Sequence, residues 1–196
     1  MRAEPPYPTR RCTVTIPLNT DISTDFGPVR LVWARSASGP KVCRIVLPGD
    51  RRSDAVATCE QPSDRSDDTA IEALCTAIGS FLAGDDVRFD TGILDLDRCP
   101  PFQQSVLLAE YGIPRGYIST YGRIARYLER PNGARAVGNA LARNPFPVVI
   151  PCHRAVRTDG RLGGFQGGVS MKRRLLEMEG VRFLADGRVV MDRVWY

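Results

Sequence analysis

The stretch that decides the fold is TYGRIARYLERPNGARAVGNALAR, residues 120–143. It opens on Thr120, a residue type that caps helix N-termini, and continues with apolar side chains on one helical face and arginines on the other. The breakers Pro131-Asn132-Gly133 separate it from a second helical pattern, which ends at residues 144–145. Two short helices joined by a tight turn predict a helix-turn-helix.

The outer face of the second helix in this motif consists mainly of small side chains, with few long polar ones. Arg135, Asn139 and Arg143 recur every fourth residue on one side, whereas Val137 and Leu141 point the opposite way, among alanines and glycine. A helix that reads base edges needs several long polar side chains, but small residues allow close backbone approach. We therefore expect double-stranded DNA to be contacted by shape and phosphate, with little sequence preference. A solvated helical hairpin with ordinary surface arginines is the open alternative.

The overall composition is that of a globular protein with a basic excess. Of the 196 residues, 43% are apolar and 25% charged, and 27 Lys and Arg against 22 Asp and Glu give a net charge of +5. This balance favours a polyanionic partner. No stretch approaches the roughly 18 apolar residues of a membrane span, and the N-terminus lacks the apolar core of a signal peptide. We expect an intracellular monomer, of the cytoplasm or nucleus, without a membrane partner.

Residues 1–98 predict a small strand-plus-helix unit. Residues 29–33 and 42–47 have the pattern of two β-strands joined by a turn, and residues 13–18 are a further candidate strand. Residues 51–68 lack periodicity and indicate an exposed connection. A helical stripe then follows, which stops at Gly84 and consists of Ile71, Leu74, Cys75, Ile78, Phe81 and Leu82.

Residues 99–182 predict a mostly helical domain. Pro101 can occupy the first turn of a helix that places Phe102, Val106 and Ala109 on one side and ends near Gly112. The helix-turn-helix and a glycine-rich segment at 160–168 come next. Residues 183–196 predict a hairpin or an extended tail. The fold class is therefore α+β, with a small N-terminal antiparallel sheet and a helical C-terminal domain.

The candidate chemistry is concentrated in Pro151-Cys152-His153-Arg154, which contains the only histidine of the chain. A thiol attacks as its thiolate, and a solution pKa near about 8.5 leaves little of it at pH 7, so a neighbouring imidazole favours a nucleophile at Cys152. No C-x-x-C pair or second histidine is present, so we expect no metal. The other cysteines are expected to be reduced, small hydrophobic residues: Cys12, Cys43, Cys59, Cys75 and Cys99.

Several ordered motifs of the second half resemble the O6-alkylguanine-DNA alkyltransferases. They are RAVG at 135–138, NP at 144–145, IPCHR at 150–154, GGFQGG at 163–168 and LLEMEG at 175–180. The resemblance runs from about residue 101 to residue 180 and is loose over residues 1–98. It implies an RNase H-like N-terminal unit before the helix-turn-helix domain.

The resemblance implies DNA repair by direct transfer of a methyl or other alkyl group from guanine O6 to Cys152, with thymine O4 as an open second target. His153 would remove the thiol proton through a water, Glu179 would orient the imidazole, and Asn144 would hold the turn around Cys152. Asn144 fits equally a helix end cap before Pro145. Since a thioether offers no ready leaving group, the protein would act once and need no cofactor.

The resemblance also implies that guanine is rotated out of the helix, because O6 of a stacked base cannot be reached in line by a buried sulfur. Arg135 would then fill the gap, and Tyr121 would assist beside the 3′ phosphate and contact the base. Ala155, Phe165 and Gln166 would line the base pocket, although the Phe165 ring has no hydroxyl to donate to O6. The implied DNA contacts are Thr120, Arg135, Ala136, Gly138, Asn139 and Arg143.

Two other functions fit parts of the pattern. A non-enzymatic lesion binder that resembles the alkyltransferase-like proteins would flip the base without an acceptor cysteine, and Cys152 argues against it. A cysteine hydrolase built on Cys152, His153 and Glu179 would turn over an ester or amide and would not need Arg135.

Overall fold

A computed structural model describes residues 17–50, 61–62 and 68–196 of the chain. The candidate strand at 13–18 and the expected connection at 51–68 lie almost wholly outside the described residues. Cys12 and Cys59 also lie outside them.

A four-stranded sheet begins the described structure. Strands β1 (Leu18–Ile22), β2 (Val29–Ser36) and β3 (Gly39–Val46) are antiparallel neighbours, and the short β4 (Gln61–Pro62) pairs in parallel with β1. The sheet order is β3-β2-β1-β4. Gly39 has φ +107°, a conformation that glycine adopts without steric cost where β3 begins. The predicted pair of strands is confirmed.

Helix α1 (Thr69–Ala83) follows the sheet and contributes its apolar side to the same core. The Asp68 carboxylate caps its N-terminus by accepting the Ala70 amide at 3.1 Å, and Gly84 ends it at φ +113°. The predicted apolar stripe is confirmed. Only Cys75 of that stripe is half-buried rather than buried.

The C-terminal half is mostly helical, as predicted. It contains α2 (Pro101–Tyr111), α3 (Tyr121–Tyr127), α4 (Ala134–Ala142) and α5 (Gly168–Met178), and α3 and α4 form the predicted helix-turn-helix. The short strands β5 (Ser119–Thr120) and β6 (Ala155–Val156) pair in parallel.

Phe102, Val106 and Ala109 share one side of α2, as predicted, but their burial differs. Val106 and Ala109 are buried, whereas Phe102 in the first turn is exposed. The Gln103 side chain links α2 to the end of α4, because its amide donates to the Ala140 carbonyl at 3.1 Å and to the Arg143 carbonyl at 2.9 Å.

The chain ends in a short turn that packs back on the helices. Phe183 and Val189 pair in antiparallel fashion across it, so this part of the segment takes the hairpin form, one of the two that the sequence left open. The Ser119 hydroxyl then donates to the Trp195 carbonyl, and the Tyr196 hydroxyl donates to the Ala109 carbonyl, both at 2.8 Å. One apolar core extends from the sheet to the helix-turn-helix, and the divisions at residues 98 and 182 stay predictions.

Among the described helices, none is both long enough and apolar enough to cross a lipid bilayer.

Candidate active site around Cys152

A strained loop presents Cys152. Val148 adopts φ +76°, a left-handed conformation that is costly for a β-branched residue. The buried Asn144 side chain holds this loop, because its amide donates to the Ile150 carbonyl at 3.1 Å and its oxygen accepts the Phe146 amide at 2.9 Å. The side chain thus supports the loop that precedes Cys152.

Cys152 begins a single helical turn, Cys152–Arg154, and lines a cavity of about 190 Å³ that we call the Cys152 cavity. An engineered protein cavity of about 150 Å³ can hold benzene, so this space suits a flat aromatic group. The other lining residues come from α3, α4 and the glycine-rich segment. They are Tyr121, Gly138, Leu141, Ala142, Gly164, Phe165 and Gln166.

Behind Cys152 lies a buried network of three charged or titratable side chains. His153 is fully buried, and its Nε2 lies 3.0 Å from Glu179 Oε1. Arg154 clasps the same carboxylate, with Nη2 donating to Oε1 at 2.7 Å and Nε donating to Oε2 at 2.8 Å. Its Nη1 donates to the Ile113 carbonyl at 2.6 Å.

The network fixes the protonation of the imidazole. Burial acts to raise the pKa of Glu179, but His153 and Arg154 outweigh it and hold the pKa at about 2. Burial lowers the pKa of His153, which is therefore neutral at pH 7. Because the carboxylate is an acceptor, Nε2 carries the proton. Nδ1 keeps a lone pair, and it has no hydrogen-bond partner within the described structure.

The resting thiol is protonated. Burial raises the pKa of Cys152 to about 12, although a hydrogen bond with Asn144 acts in the opposite direction. In the described part of the chain, the side-chain hydrogen bond of the imidazole goes to Glu179, the residue expected to orient it. A bridging group, such as the expected water, would be needed to carry the thiol proton to the free ring nitrogen.

The Tyr121 side chain reaches the Cys152 cavity through space that is open because residue 163 is a glycine. A Cβ atom on Gly163 would lie 2.8 Å from the Tyr121 hydroxyl oxygen, and Gly163 has φ +71°. Burial raises the pKa of Tyr121 to about 12, so its hydroxyl remains a hydrogen-bond donor at neutral pH.

The predicted pocket residues are placed unequally. Phe165 lines the cavity, with its ring edge-on to the His153 ring at a centroid distance of 6.2 Å. Gln166 also lines it, while its amide donates to the Asn144 carbonyl at 2.6 Å. Ala155 is fully buried in β6 and is not among the residues that line the cavity.

Three of the six predicted DNA contacts, Arg135, Gly138 and Asn139, line a larger depression of about 580 Å³, the helix groove, and Thr120, Ala136 and Arg143 do not. The groove is lined by Tyr121, Gly122, Ala134, Arg135, Gly138, Asn139, Arg157, Thr158 and Asp159. Arg135, Ala136 and Asn139 are exposed on α4, Arg143 is exposed directly after its end, and Gly138 is half-buried. Thr120 differs from them, since it is buried and its hydroxyl caps α3 by accepting the Arg123 amide at 3.2 Å. Tyr121 and Gly138 line both spaces, so the groove adjoins the Cys152 cavity.

Comparison with known proteins agrees with this arrangement. A family model described as the DNA-binding domain of 6-O-methylguanine DNA methyltransferase matches residues 101–181. The methylated-DNA–protein-cysteine methyltransferase of Methanothermobacter thermautotrophicus is 49% identical over 120 residues, which cover 61% of this chain and 66% of the relative. The protein of the same name from Mycobacterium tuberculosis is 41% identical over 120 residues, which cover 61% of this chain and 72% of that relative.

The similarity extends to solved structures. Mycobacterium tuberculosis OGT in complex with DNA is 32% identical with a TM-score of 0.69, covering 83% of this chain and 92% of that one. The chain belongs to the O6-methylguanine-DNA methyltransferase family. The methyltransferase of Pyrococcus kodakaraensis has the same fold at 27% identity, with a TM-score of 0.59 over 84% of this chain and 99% of that one. The family and the α+β fold class that the sequence predicts are confirmed.

In this methyltransferase, sequence reasoning missed three buried charged residues near Cys152. The sequence motif contains Arg154 but gives no sign that its guanidinium binds Glu179. Lys172 and Glu110 are fully buried on α5 and α2. The sequence did contain a sign that Glu110 is buried, since Glu110 lies beside the apolar positions Val106 and Ala109 on one helix. Within residues 17–50, 61–62 and 68–196, no cluster of His, Cys, Asp and Glu is arranged to hold a metal ion.

Proposed function

We propose that this protein repairs double-stranded DNA by moving an alkyl group from guanine O6 to the Cys152 sulfur. The observation that carries the proposal is a cysteine in a base-sized cavity beside the groove of an arginine-bearing helix, with a buried imidazole next to it in the chain. We further propose that the protein acts as a monomer and binds duplex DNA with little sequence preference, because the exposed side chains of the groove favour phosphate contacts.

The proton transfer starts at the thiol. A water would carry the Cys152 proton to Nδ1 of His153, the one ring nitrogen that Glu179 leaves free. The imidazolium that forms is stabilised by the Glu179 carboxylate through Nε2. Because the resting thiol is protonated, the thiolate would form only after the substrate has bound.

The displacement itself needs no cofactor. The S–C bond forms as the C–O6 bond breaks, and the bonding electrons leave with the guanine, which then takes up a proton. Tyr121 faces the cavity with a protonated hydroxyl and would donate a hydrogen bond to the base. The product is a thioether, which water cannot readily cleave, so each protein molecule acts once.

The base has to leave the helix before the sulfur can reach it. The Cys152 cavity accepts a flat group, and Arg135 on the adjoining groove would occupy the vacated position in the stack. Tyr121 and Gly138, which line both spaces, mark the path of the base between them.

Mass spectrometry tests this function. After incubation with a duplex that contains O6-methylguanine, we expect the peptide that contains Cys152 to gain one methyl group, at a stoichiometry of one per protein. Unchanged mass with retained binding would instead support a lesion binder. Repeated turnover of an activated ester without DNA would support a hydrolase.

Arg135→Ala is expected to slow repair of duplex DNA by roughly tenfold or more, because unstacking a base costs a few kcal/mol and the guanidinium offsets part of it. Transfer from free O6-benzylguanine should keep its rate, since a free base needs no extrusion. Single-turnover rates on both substrates, at saturating DNA, provide the comparison.

Arg143→Ala is the matched control, at an exposed position directly after the end of α4. It should weaken the affinity for DNA without lowering the duplex rate at saturation. Equal losses on duplex and free base in the Arg135 variant would contradict its insertion into the stack.

A further inference from the structure

Residues 193–196 pack against the segment that leads into the active site. The Ile118 amide donates to the Arg193 carbonyl at 3.0 Å, and the Trp195 amide donates to the Ile118 carbonyl at 2.8 Å. Ile118 also pairs in parallel with Val194. Main-chain hydrogen bonds therefore hold these four residues beside Ile118, as they would hold a neighbouring strand, and we call the four residues the C-terminal clamp.

The segment next to the clamp connects two sides of the Cys152 cavity. Strand β5 pairs with β6, which follows the Cys152–Arg154 turn. Tyr121, which lines the cavity, comes immediately after β5 as the first residue of α3. The clamp contacts β5 through the Ser119 hydroxyl, which donates to the Trp195 carbonyl at 2.8 Å. The position of the phenol relative to the sulfur thus depends on how β5 and α3 are held.

Helix α3 depends on its neighbours because it is short. It has 7 residues, whereas isolated helices shorter than about 12 residues are marginal in water. Ile124 and Ala125 anchor its buried side in the core. Arg123 and Tyr127 are exposed, and because they are four positions apart they lie on one face of the helix. Contacts to this exposed face therefore help to set the orientation of α3.

Tyr196 of the clamp contacts both residues of that exposed face. Its main-chain oxygen accepts a hydrogen bond from the Arg123 guanidinium, and its ring stacks on the Tyr127 ring with centroids 4.0 Å apart and planes inclined by 24°. The Tyr196 hydroxyl donates to the Ala109 carbonyl of α2 at 2.8 Å. A single half-buried residue thus fastens both turns of α3 to the end of α2.

We propose that Tyr196 is a positioning residue for Tyr121, because it clamps α3 and so fixes where the Tyr121 phenol lies in the Cys152 cavity. Placement has a large effect on rate, since a misplacement of about 1 Å can cost about 100-fold. The effect on alkyl transfer rests on the function proposed above, whereas the clamping of α3 does not.

Amide hydrogen exchange tests the clamp directly. Tyr196→Ala loses the ring stack and the hydroxyl, and we expect the amides of α3 to exchange roughly tenfold faster, which is the scale of an aromatic pair. The amides of α4 and α5 should keep their wild-type rates. Tyr196→Phe keeps the stack on Tyr127 and should retain most of the protection.

Met191→Ala, at an exposed position near the clamp in sequence, is the control and should match the wild type. Unchanged α3 exchange in Tyr196→Ala would overturn the proposal, and so would an equal rise in α3, α4 and α5, which would indicate general destabilisation. Exchange as fast in Tyr196→Phe as in Tyr196→Ala would also overturn it, since the effect would then come from the bond to α2 rather than from the stack on α3.

Transfer from free O6-benzylguanine tests the link to Tyr121, because the free base needs no extrusion from DNA. We expect Tyr196→Ala to lower the single-turnover rate by roughly tenfold. Tyr121→Phe lacks the hydroxyl that the clamp would position, so adding Tyr196→Ala to it should lower the rate by no more than about twofold. Independent, multiplying losses in the double variant would contradict a role through Tyr121.

Hydrogen exchange and adduct mass, measured on the same samples, separate the two proposals. Faster α3 exchange in Tyr196→Ala, together with a wild-type protein that forms no Cys152 adduct, would exclude the repair function and leave the clamp intact. A wild-type adduct together with unchanged α3 exchange in Tyr196→Ala would overturn the clamp alone.

Discussion

Replacing Cys152 with serine is expected to abolish alkyl transfer while leaving the fold and the affinity for DNA in place. The hydroxyl ionises far less readily than a thiol, so a relay through neutral His153 cannot generate a useful nucleophile from it. The change removes little volume from the Cys152 cavity, and the exposed residues of α4 are untouched. The adduct mass, and binding to a lesion-containing duplex, measure the two outcomes separately.

Cys75→Ser is the matched control, since Cys75 is a free, half-buried thiol on α1. It should retain one adduct per protein at the wild-type rate. If the Cys152 variant still acquired a methyl group, the acceptor would have to be another residue, and the mechanism derived from the buried network would not apply.

The second large effect is expected from Glu179→Gln. The substitution leaves the buried Arg154 guanidinium without its carboxylate, and removal of one partner from a buried ion pair typically costs about 3–5 kcal/mol of stability. The amide also cannot stabilise the imidazolium that forms when His153 accepts a proton. We expect single-turnover transfer to fall by roughly 100-fold or more, and urea unfolding to show the loss of stability.

The pH dependence of stability provides an independent measurement of this network. The folded-state pKa of Glu179, about 2, lies below its ordinary value of 4.5. Its ionised form therefore adds stability above pH 4.5, and that contribution is lost as the pH falls toward 2. The Gln variant should lack this part of the acid transition. Glu177→Gln, an exposed neighbour on α5, should keep it.

Local patterns in the sequence were sufficient for the helix-turn-helix. The breakers at residues 131–133 and the spacing of the apolar residues were enough to locate α3 and α4 along the chain. The reason is that the start and end of a short helix depend mainly on residues close by in the sequence. The ordered motifs also led to Cys152, His153 and Glu179, and the structure brings His153 and Glu179 into contact.

The buried charges around the site could not be predicted in the same way. Arg154, Lys172 and Glu110 come from a turn and two helices that are distant in sequence, and whether such charges are buried depends on tertiary packing. Periodicity indicates which helical face is apolar, but it does not identify the partner of a charge that falls on that face. Phe102 illustrates the same limit of periodicity, because it shares a side of α2 with the buried Val106 and Ala109 but is itself exposed.

Gly163 determines where the Tyr121 hydroxyl can lie. Its single hydrogen leaves room for the Tyr121 hydroxyl, and its backbone conformation is one that other residues rarely adopt. Phe165 and Gln166 line the same cavity, and neither has a left-handed backbone conformation. A side chain at Gly163 would instead collide with the Tyr121 hydroxyl, so under the proposed function a pocket for bulkier lesions would require changes elsewhere in its lining.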